Sequence, residues 1–343
     1  MSRRNQKKKI WLDRRSRLGH KEKRRKKSQK KYRVYSPYIV REHSGTRRPQ
    51  VTVTPPKVFS LADNPEETMS FFMGFAKEIE FREHGTVFFI DSKDVESASA
   101  DALIFLIAIL QNESFNKHLN YSFAGNYPRS AEANRIYAES GFNDYVVSKM
   151  RRLPDSTDKM RIICGTNNSP TAAKELSNFI MTNLGKSRAE IQPIQKVLIE
   201  LMSNVYHHAY DKNTFMAKKW YMYAEFVDDS IRCVFVDTGF GIAKTARKNF
   251  KERIKLSFGL QVDDAKIMKS IFNGDFRTAT NEHHRGNGLR SVRNNVSSPI
   301  FERFEVISGR GRCIIPKAEN TETILTECYE NKLFGTLFQF TVK

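Results

Sequence analysis

The chain has 343 residues, 39% of them hydrophobic, and a formal net charge of +20. This length and apolar content are sufficient for about two packed domains. They do not favour a membrane-spanning protein, because the most apolar run, ALIFLIAIL at 102–110, is far shorter than the about 20 residues that cross a bilayer.

The positive charge is concentrated in residues 1–50, which hold 20 Lys and Arg against 3 Asp and Glu. With few apolar residues to bury, this segment is predicted to be a disordered basic tail. Its charge favours nucleic acid or another polyanion as a partner, and Trp11 and Tyr32 could stack on bases. A solubilising tail without a fixed partner is the alternative. No apolar h-region separates its basic runs, so it does not resemble a signal peptide.

Residues 51–155 alternate between predicted helices and strands, which favours a small α/β layer. The predicted order is helix EETMSFFMGFAKEIEF, strand TVFFID, buried helix ADALIFLIAIL, strand YSFAG and helix SAEANRIYAES. This order, with VFFIDSKDVESASADALIFL and GNYPRSAEANRIYAESGF, resembles STAS domains of the anti-sigma-antagonist class. The resemblance implies that the unit binds or regulates a Bergerat-type kinase.

The turn before the buried helix departs from the STAS pattern, in which Asp-Ser-Ser-Gly carries a phosphorylated serine. Here the turn is Ser99-Ala100-Asp101-Ala102, so the two serine positions hold Ala100 and Asp101. We therefore do not expect the phospho-switch of that family, although Ser97 or Ser99 could substitute. Ser99 could equally be a plain helix N-cap, and Asp101 is favourable at a helix start.

The run IQKVLIELMSNVYHHAY predicts a helix with two distinct faces. Its apolar residues form one stripe, while Glu200, Asn204 and His207 share a separate arc at spacings i, i+4 and i+7. A carboxylate, an amide and an imidazole on one face suit a metal–phosphate site. A solvated polar face is the alternative.

Two glycine pairs follow this helix along the chain. The run IRCVFVDTGFGI predicts a buried strand that ends at Asp237, with Gly239 and Gly241 allowing a ligand close to the backbone. The run RGNGLRSV places Gly286 and Gly288 at a predicted helix start, where backbone N–H groups can bind phosphate.

ELMSN, DTGFG and RGNGL, followed by Gly335-Thr336 in a terminal strand, resemble the Bergerat-fold ATPases, nearest their anti-sigma and histidine-kinase branch. The resemblance covers about residues 161–343, and we place the domain at 156–343, after a boundary near Pro154. It implies an α/β sandwich, a mixed sheet with helices on one face. The expected fold class is therefore α/β and α+β.

The resemblance also implies roles for individual residues on the phosphate side. Asn204 would ligate Mg²⁺, and Glu200 would position or deprotonate the attacking group. His207, His208 and Arg285 would lie near the phosphates of ATP, which the second glycine pair would cradle.

On the base side, the resemblance implies that Asp237 accepts the adenine amino group and that Thr336 supports it. The first glycine pair would shape the adenine pocket. Residues 243–284 would form a lid over ATP, as a polar stretch of this length is usually functional or disordered.

The sequence thus predicts a cytoplasmic ATP- and Mg²⁺-binding regulatory protein that hydrolyses ATP or transfers phosphate to a protein partner. Four scattered cysteines without CxxC spacing favour reduced thiols and that compartment. The alternative is a nucleotide-gated, nucleic-acid-binding module with little or no turnover. A histidine phosphorelay within the chain is not expected, because no helix pair presents an acceptor histidine. Formation of a homodimer is left open.

Overall fold

The computed structural model describes residues 39–40, 50–81, 85–111, 122–146, 156–208, 218–249, 254, 257, 262–275, 288–317 and 324–343. The described helices are α1 (Pro65–Phe81), α2 (Ala100–Leu110), α3 (Ala131–Glu139), α4 (Phe142–Val146), α5 (Pro170–Leu184), α6 (Arg188–His208), α7 (Ile242–Asn249), α8 (Asp264–Asn273) and α9 (Gly288–Val296). The described strands are β1 (Ile39–Val40), β2 (Gln50–Val53), β3 (Val58–Phe59), β4 (Val87–Ile90), β5 (Ser97–Ala98), β6 (Ser122–Gly125), β7 (Lys159–Gly165), β8 (Trp220–Val227), β9 (Ser230–Asp237), β10 (Phe301–Pro316) and β11 (Leu325–Val342).

The N-terminal unit, described over 39–40, 50–81, 85–111 and 122–146, contains a four-stranded sheet in the order β1-β2-β4-β6. Strands β2, β4 and β6 are parallel, and helices α1 and α2 lie in the connections between them. The helices and strands expected between 51 and 155 are therefore confirmed. Within the expected tail, Ile39 and Val40 pair with β2, which itself begins at Gln50, so the prediction of disorder is wrong for these three residues.

The C-terminal unit, residues 156–343, contains a five-stranded sheet in the order β10-β11-β9-β8-β7. Every neighbouring pair is antiparallel, so the expected mixed sheet is wrong for the described strands. One reason is the hairpin between β8 and β9, whose turn residues Asp228 and Asp229 have φ of 50° and 55°. Positive φ at both residues suits a two-residue hairpin turn, which can only join antiparallel strands.

Both faces of the five-stranded sheet are covered along its central strands β8 and β9. On one face, Trp220 and Phe235 pack in a core with helices α5, α6, α8 and α9. On the other face, Tyr221 and Val236 belong to the same core as the N-terminal unit. Helix α2 contacts β8 and β9 directly, and each of its residues is buried. The apolar run that is too short for a membrane is thus a fully buried helix that packs on the five-stranded sheet.

Asp101 is buried at the start of α2, where it connects the helix to the loop at residues 61–62. It is 2% exposed, and its carboxylate accepts hydrogen bonds from Leu61 N (3.2 Å) and Ala62 N (3.1 Å). Burial raises the pKa of Asp101 although these bonds act to lower it. Ser99 is the N-cap residue, as the N-cap alternative predicted, but its hydroxyl donates to Asp101 and makes no capping hydrogen bond to the backbone.

The expected lid, 243–284, is not one continuous loop. It contains most of helix α7 and all of α8, which are joined by an ion pair between Arg247 and Asp264. The domain boundary expected at Pro154 lies outside the described residues, as does nearly all of the tail. Among the helices that the structure describes, none combines the length and apolar character needed to cross a membrane.

Candidate functional site

The predicted base side of the site lies where strands β9 and β11 are neighbours. Asp237 ends β9, is 4% exposed, and stands opposite Thr336 in the antiparallel register. Burial raises the pKa of Asp237 to about 6, against hydrogen bonds from Gly239 N–H and the Thr336 hydroxyl that act to lower it. The Gly239 bond to Asp237 Oδ1 is 2.8 Å long. The pair therefore presents a buried carboxyl group with one hydroxyl beside it.

A bulge in β11 shapes the wall next to this carboxyl group. Ser308 of β10 lies opposite Thr336 but Gly309 lies opposite Leu333, so Phe334 and Gly335 are left out of the ladder. Gly335 has φ +72°, and a Cβ there would lie 1.9 Å from the Asp237 carbonyl oxygen. Only glycine fits this backbone conformation at such a close approach.

Ser308 connects the bulge to the segment of the first glycine pair. The sequence motifs did not identify this residue. Its side chain is fully buried, donates to the Gly335 carbonyl oxygen (2.9 Å) and accepts from Ile242 N (2.9 Å). Gly241 has φ +82°, and a Cβ on it would lie 2.7 Å from Ser308 Oγ. A lone serine in a strand carries no sequence signal for this role, since the contacts come from distant parts of the chain.

The predicted phosphate side lies on helices α6 and α9, which pack along each other. Gly288 is the first residue of α9, as the second glycine pair predicted. A Cβ on Gly288 would lie 3.0 Å from Asn204 Oδ1 and 3.1 Å from Glu200 Oε2. The structure thus brings the start of α9 against the two helix residues that the sequence analysis singled out.

The Asn204 amide is an unusual group in this arrangement. Its Nδ2 atom is buried and has no hydrogen-bond partner among the described residues. A buried donor without a partner costs about 1–3 kcal/mol, and native proteins contain few of them. Beside it, burial raises the pKa of Glu200, against a hydrogen bond from Ser291 that lowers it.

Helix α8 connects the base side with the phosphate side. It contacts β11, it contacts β10 at Gly309 and Gly311, next to the bulge, and it contacts α9 on the phosphate side. Asp264 at its start accepts from Arg310 N (2.7 Å) on β10, and Gly274 at its end lies against the Arg290 side chain of α9. One ordered helix within the expected lid therefore braces both sides.

Other predicted site residues are not placed in this cluster. His207 is exposed and contacts the Tyr206 ring edge to face, with 4.9 Å between ring centroids. The backbone of His208 lies in α6, but its side chain lies outside what the structure describes, as do Arg285 and Gly286.

No protein-family model matches the chain, and no curated protein matches it significantly. The Bergerat and STAS assignments therefore stay resemblances, carried by the motifs quoted above.

Proposed function

We propose that the C-terminal unit binds ATP with Mg²⁺ as a Bergerat-type domain, and that the N-terminal unit is a STAS-like module joined to it. The observation that carries the proposal is the contact of Gly288 with Glu200 and Asn204. These residues are about 90 positions apart, and a nucleotide site of this type requires the two motifs to meet.

The residues of the phosphate side fit a magnesium–phosphate group. Asn204 offers a carboxamide oxygen, a ligand type that Mg²⁺ accepts, and an Nδ2 atom that lacks a partner among the described residues. Backbone N–H groups at the start of α9 suit phosphate oxygens. When bound, Mg²⁺ would neutralise phosphate charge.

On the base side, Asp237 would accept a hydrogen bond from the exocyclic amine of adenine, with the Thr336 hydroxyl holding the carboxylate in place. Because the carboxylate is buried, water competes weakly for that bond. The bulge at Gly335 would define the edge of the base pocket.

Glu200 would take the proton from an attacking water or hydroxyl group. Its raised pKa makes it a better proton acceptor than an exposed carboxylate. The same role serves hydrolysis and transfer to a protein hydroxyl, so the chain would act as an ATPase or a serine/threonine-type kinase on a regulatory partner. Contact of residues 1–50 with a polyanion stays a separate prediction.

The test is calorimetric titration of ATP, with and without Mg²⁺, into the wild type and Asn204→Ala. We expect the wild type to bind and the variant to lose at least about tenfold in affinity in Mg²⁺, because it lacks the ligand oxygen. In EDTA the two proteins should bind equally weakly.

Stability gives this experiment a control. Removing an unsatisfied buried amide should leave the nucleotide-free variant as stable as the wild type, or up to about 1 kcal/mol more stable. A wild type that ignores millimolar ATP would refute the proposed function. Equal Mg²⁺-dependent affinities in both proteins would refute the role of Asn204.

A further inference from the structure

The two units are joined by a carboxylate at the start of helix α1. Glu66 accepts hydrogen bonds from the backbone N–H groups of Glu330 (2.7 Å) and Asn331 (3.1 Å), both on β11. The Asn331 side chain adds a third, from Nδ2 to Glu66 Oε2 at 3.0 Å. One side chain of the N-terminal unit therefore holds a short segment of the C-terminal sheet.

The same segment is also held by apolar packing. Leu333 is 3% exposed and lies in the core of the N-terminal unit, and Phe334 packs against that core. Polar and apolar contacts with one unit thus fix successive residues of the other.

This segment leads directly into the base side of the nucleotide site. Phe334 and Gly335 form the bulge, the Gly335 carbonyl oxygen accepts the Ser308 hydroxyl, and Thr336 is bonded to Asp237. Gly335 is pressed so closely on the Asp237 backbone that the bulge cannot shift without moving the carboxyl group.

We propose that Glu66 is a positioning residue for the nucleotide site and that the N-terminal unit regulates nucleotide affinity through it. This inference rests on the proposed function. When Glu66 is hydrogen bonded to Asn331, the bulge at Phe334 and Gly335 is held in place and the base side is complete. Loss of these hydrogen bonds makes the bulge and the base side more mobile. By linkage, bound nucleotide strengthens the contact between the units by the same factor.

The experiment compares Glu66→Ala with Glu67→Ala by calorimetric titration of MgATP and MgADP. Glu67 lies in the same first turn of α1, and its carboxylate accepts from Asn64 Nδ2 (3.0 Å) within its own unit. The control therefore removes the same charge without touching β11. We expect Glu66→Ala to weaken binding of both nucleotides by about tenfold, which is within the usual range of coupling between two sites, and Glu67→Ala to bind as the wild type does.

A second readout separates positioning from plain destabilisation. Because the contact acts on the base side, Glu66→Ala should keep the wild-type ratio of ATP to ADP affinity and its dependence on Mg²⁺. In hydrogen exchange, MgATP should protect amides 330–336 in the wild type and in Glu67→Ala but not in Glu66→Ala. Glu66→Gln keeps one acceptor oxygen, serves as a milder variant should Glu66→Ala not fold, and is expected to be intermediate.

The outcomes are distinguishable. A wild type that binds nucleotide together with an unchanged Glu66→Ala overturns the inference and leaves the proposed function intact. An ATP-to-ADP ratio altered in Glu66→Ala also overturns it, since the effect would then lie at the phosphates. A wild type that binds no nucleotide removes the proposed function and the inference with it.

Discussion

The base side and the phosphate side of the candidate site are built by different means. The base side consists of strands, with Ser308 and Asp237 already hydrogen bonded to the backbone around them. The phosphate side consists of side chains on two helices and includes the unpartnered Nδ2 atom of Asn204 within the described region. We infer that the base side is formed without ligand, whereas the phosphate side is completed by what binds there.

The largest expected effect on stability is that of a substitution at Gly335, because the base side is inferred to be rigid before a ligand binds. In Gly335→Ala the new Cβ would meet the Asp237 carbonyl oxygen at 1.9 Å and Thr238 Cα at 2.6 Å, both backbone atoms. We expect a loss of about 3–5 kcal/mol in the free energy of unfolding, measured in urea, together with loss of nucleotide binding.

Gly185→Ala is the matched control for this substitution. Gly185 also has a left-handed backbone, φ +65°, but a Cβ there would meet no atom within 4 Å. The conformational cost alone should be about 1–2 kcal/mol. Equal losses for the two variants would show that the close approach at Gly335 is not a constraint.

Asp237→Asn tests whether the base side is formed without ligand. If it is, the buried Asp237 carboxylate should lower the stability of the nucleotide-free protein although it favours binding of adenine. Burial raises its pKa from 3.8 to about 6, so the folded protein favours the protonated form. The stability that the protonated Asp237 gives to the folded protein is fully present below pH 3.8 and is lost as the pH rises through about 6. Above that pH, Asp237→Asn should be more stable than the wild type by up to about 3 kcal/mol.

The same variant should bind ATP more weakly by at least about tenfold, because the adenine amine loses a charged acceptor. Urea unfolding at pH 4.5 and 7.5, with titration of ATP at the higher pH, measures both effects. A stability difference that does not change with pH would contradict the raised pKa. A variant that binds ATP as tightly as the wild type would place adenine elsewhere.

The sequence predicted local elements better than the contacts between them. The spacing of Glu200 and Asn204 and the glycine at 288 predicted three residues that the structure brings together, because helix periodicity and helix starts have local signals. Ser308 and the Glu66–Asn331 contact could not be predicted in this way. Glu66 and Asn331 are 265 positions apart, and neither has a motif of its own.

The sequence did contain a signal that the sheet face with Tyr221 and Val236 is covered. Strand β8 reads WYMYAEFV, and its first six residues are all buried. A strand that is apolar on both faces implies a layer on each side of the sheet. Tyr221 and Tyr223 therefore predict that a layer covers this face, and the shared core shows that the layer is the N-terminal unit.

The smallest expected effect is that of a substitution at Glu200 on the phosphate side. There we expect the reaction rate to change while the protein stays folded. Glu200→Gln keeps the size of the side chain but removes the proton acceptor. Phosphate release, or transfer to a protein substrate, should fall by about 100-fold while ATP affinity changes little.

Ser291→Ala is the companion variant, because the Ser291 hydroxyl lowers the pKa of Glu200. Without that bond the pKa should rise further, and the acid limb of the pH–rate profile should move to higher pH. Wild-type turnover in Glu200→Gln would remove Glu200 from the chemistry. No turnover in either protein would favour a nucleotide-gated module, in which the helix residues bind phosphate without activating a nucleophile.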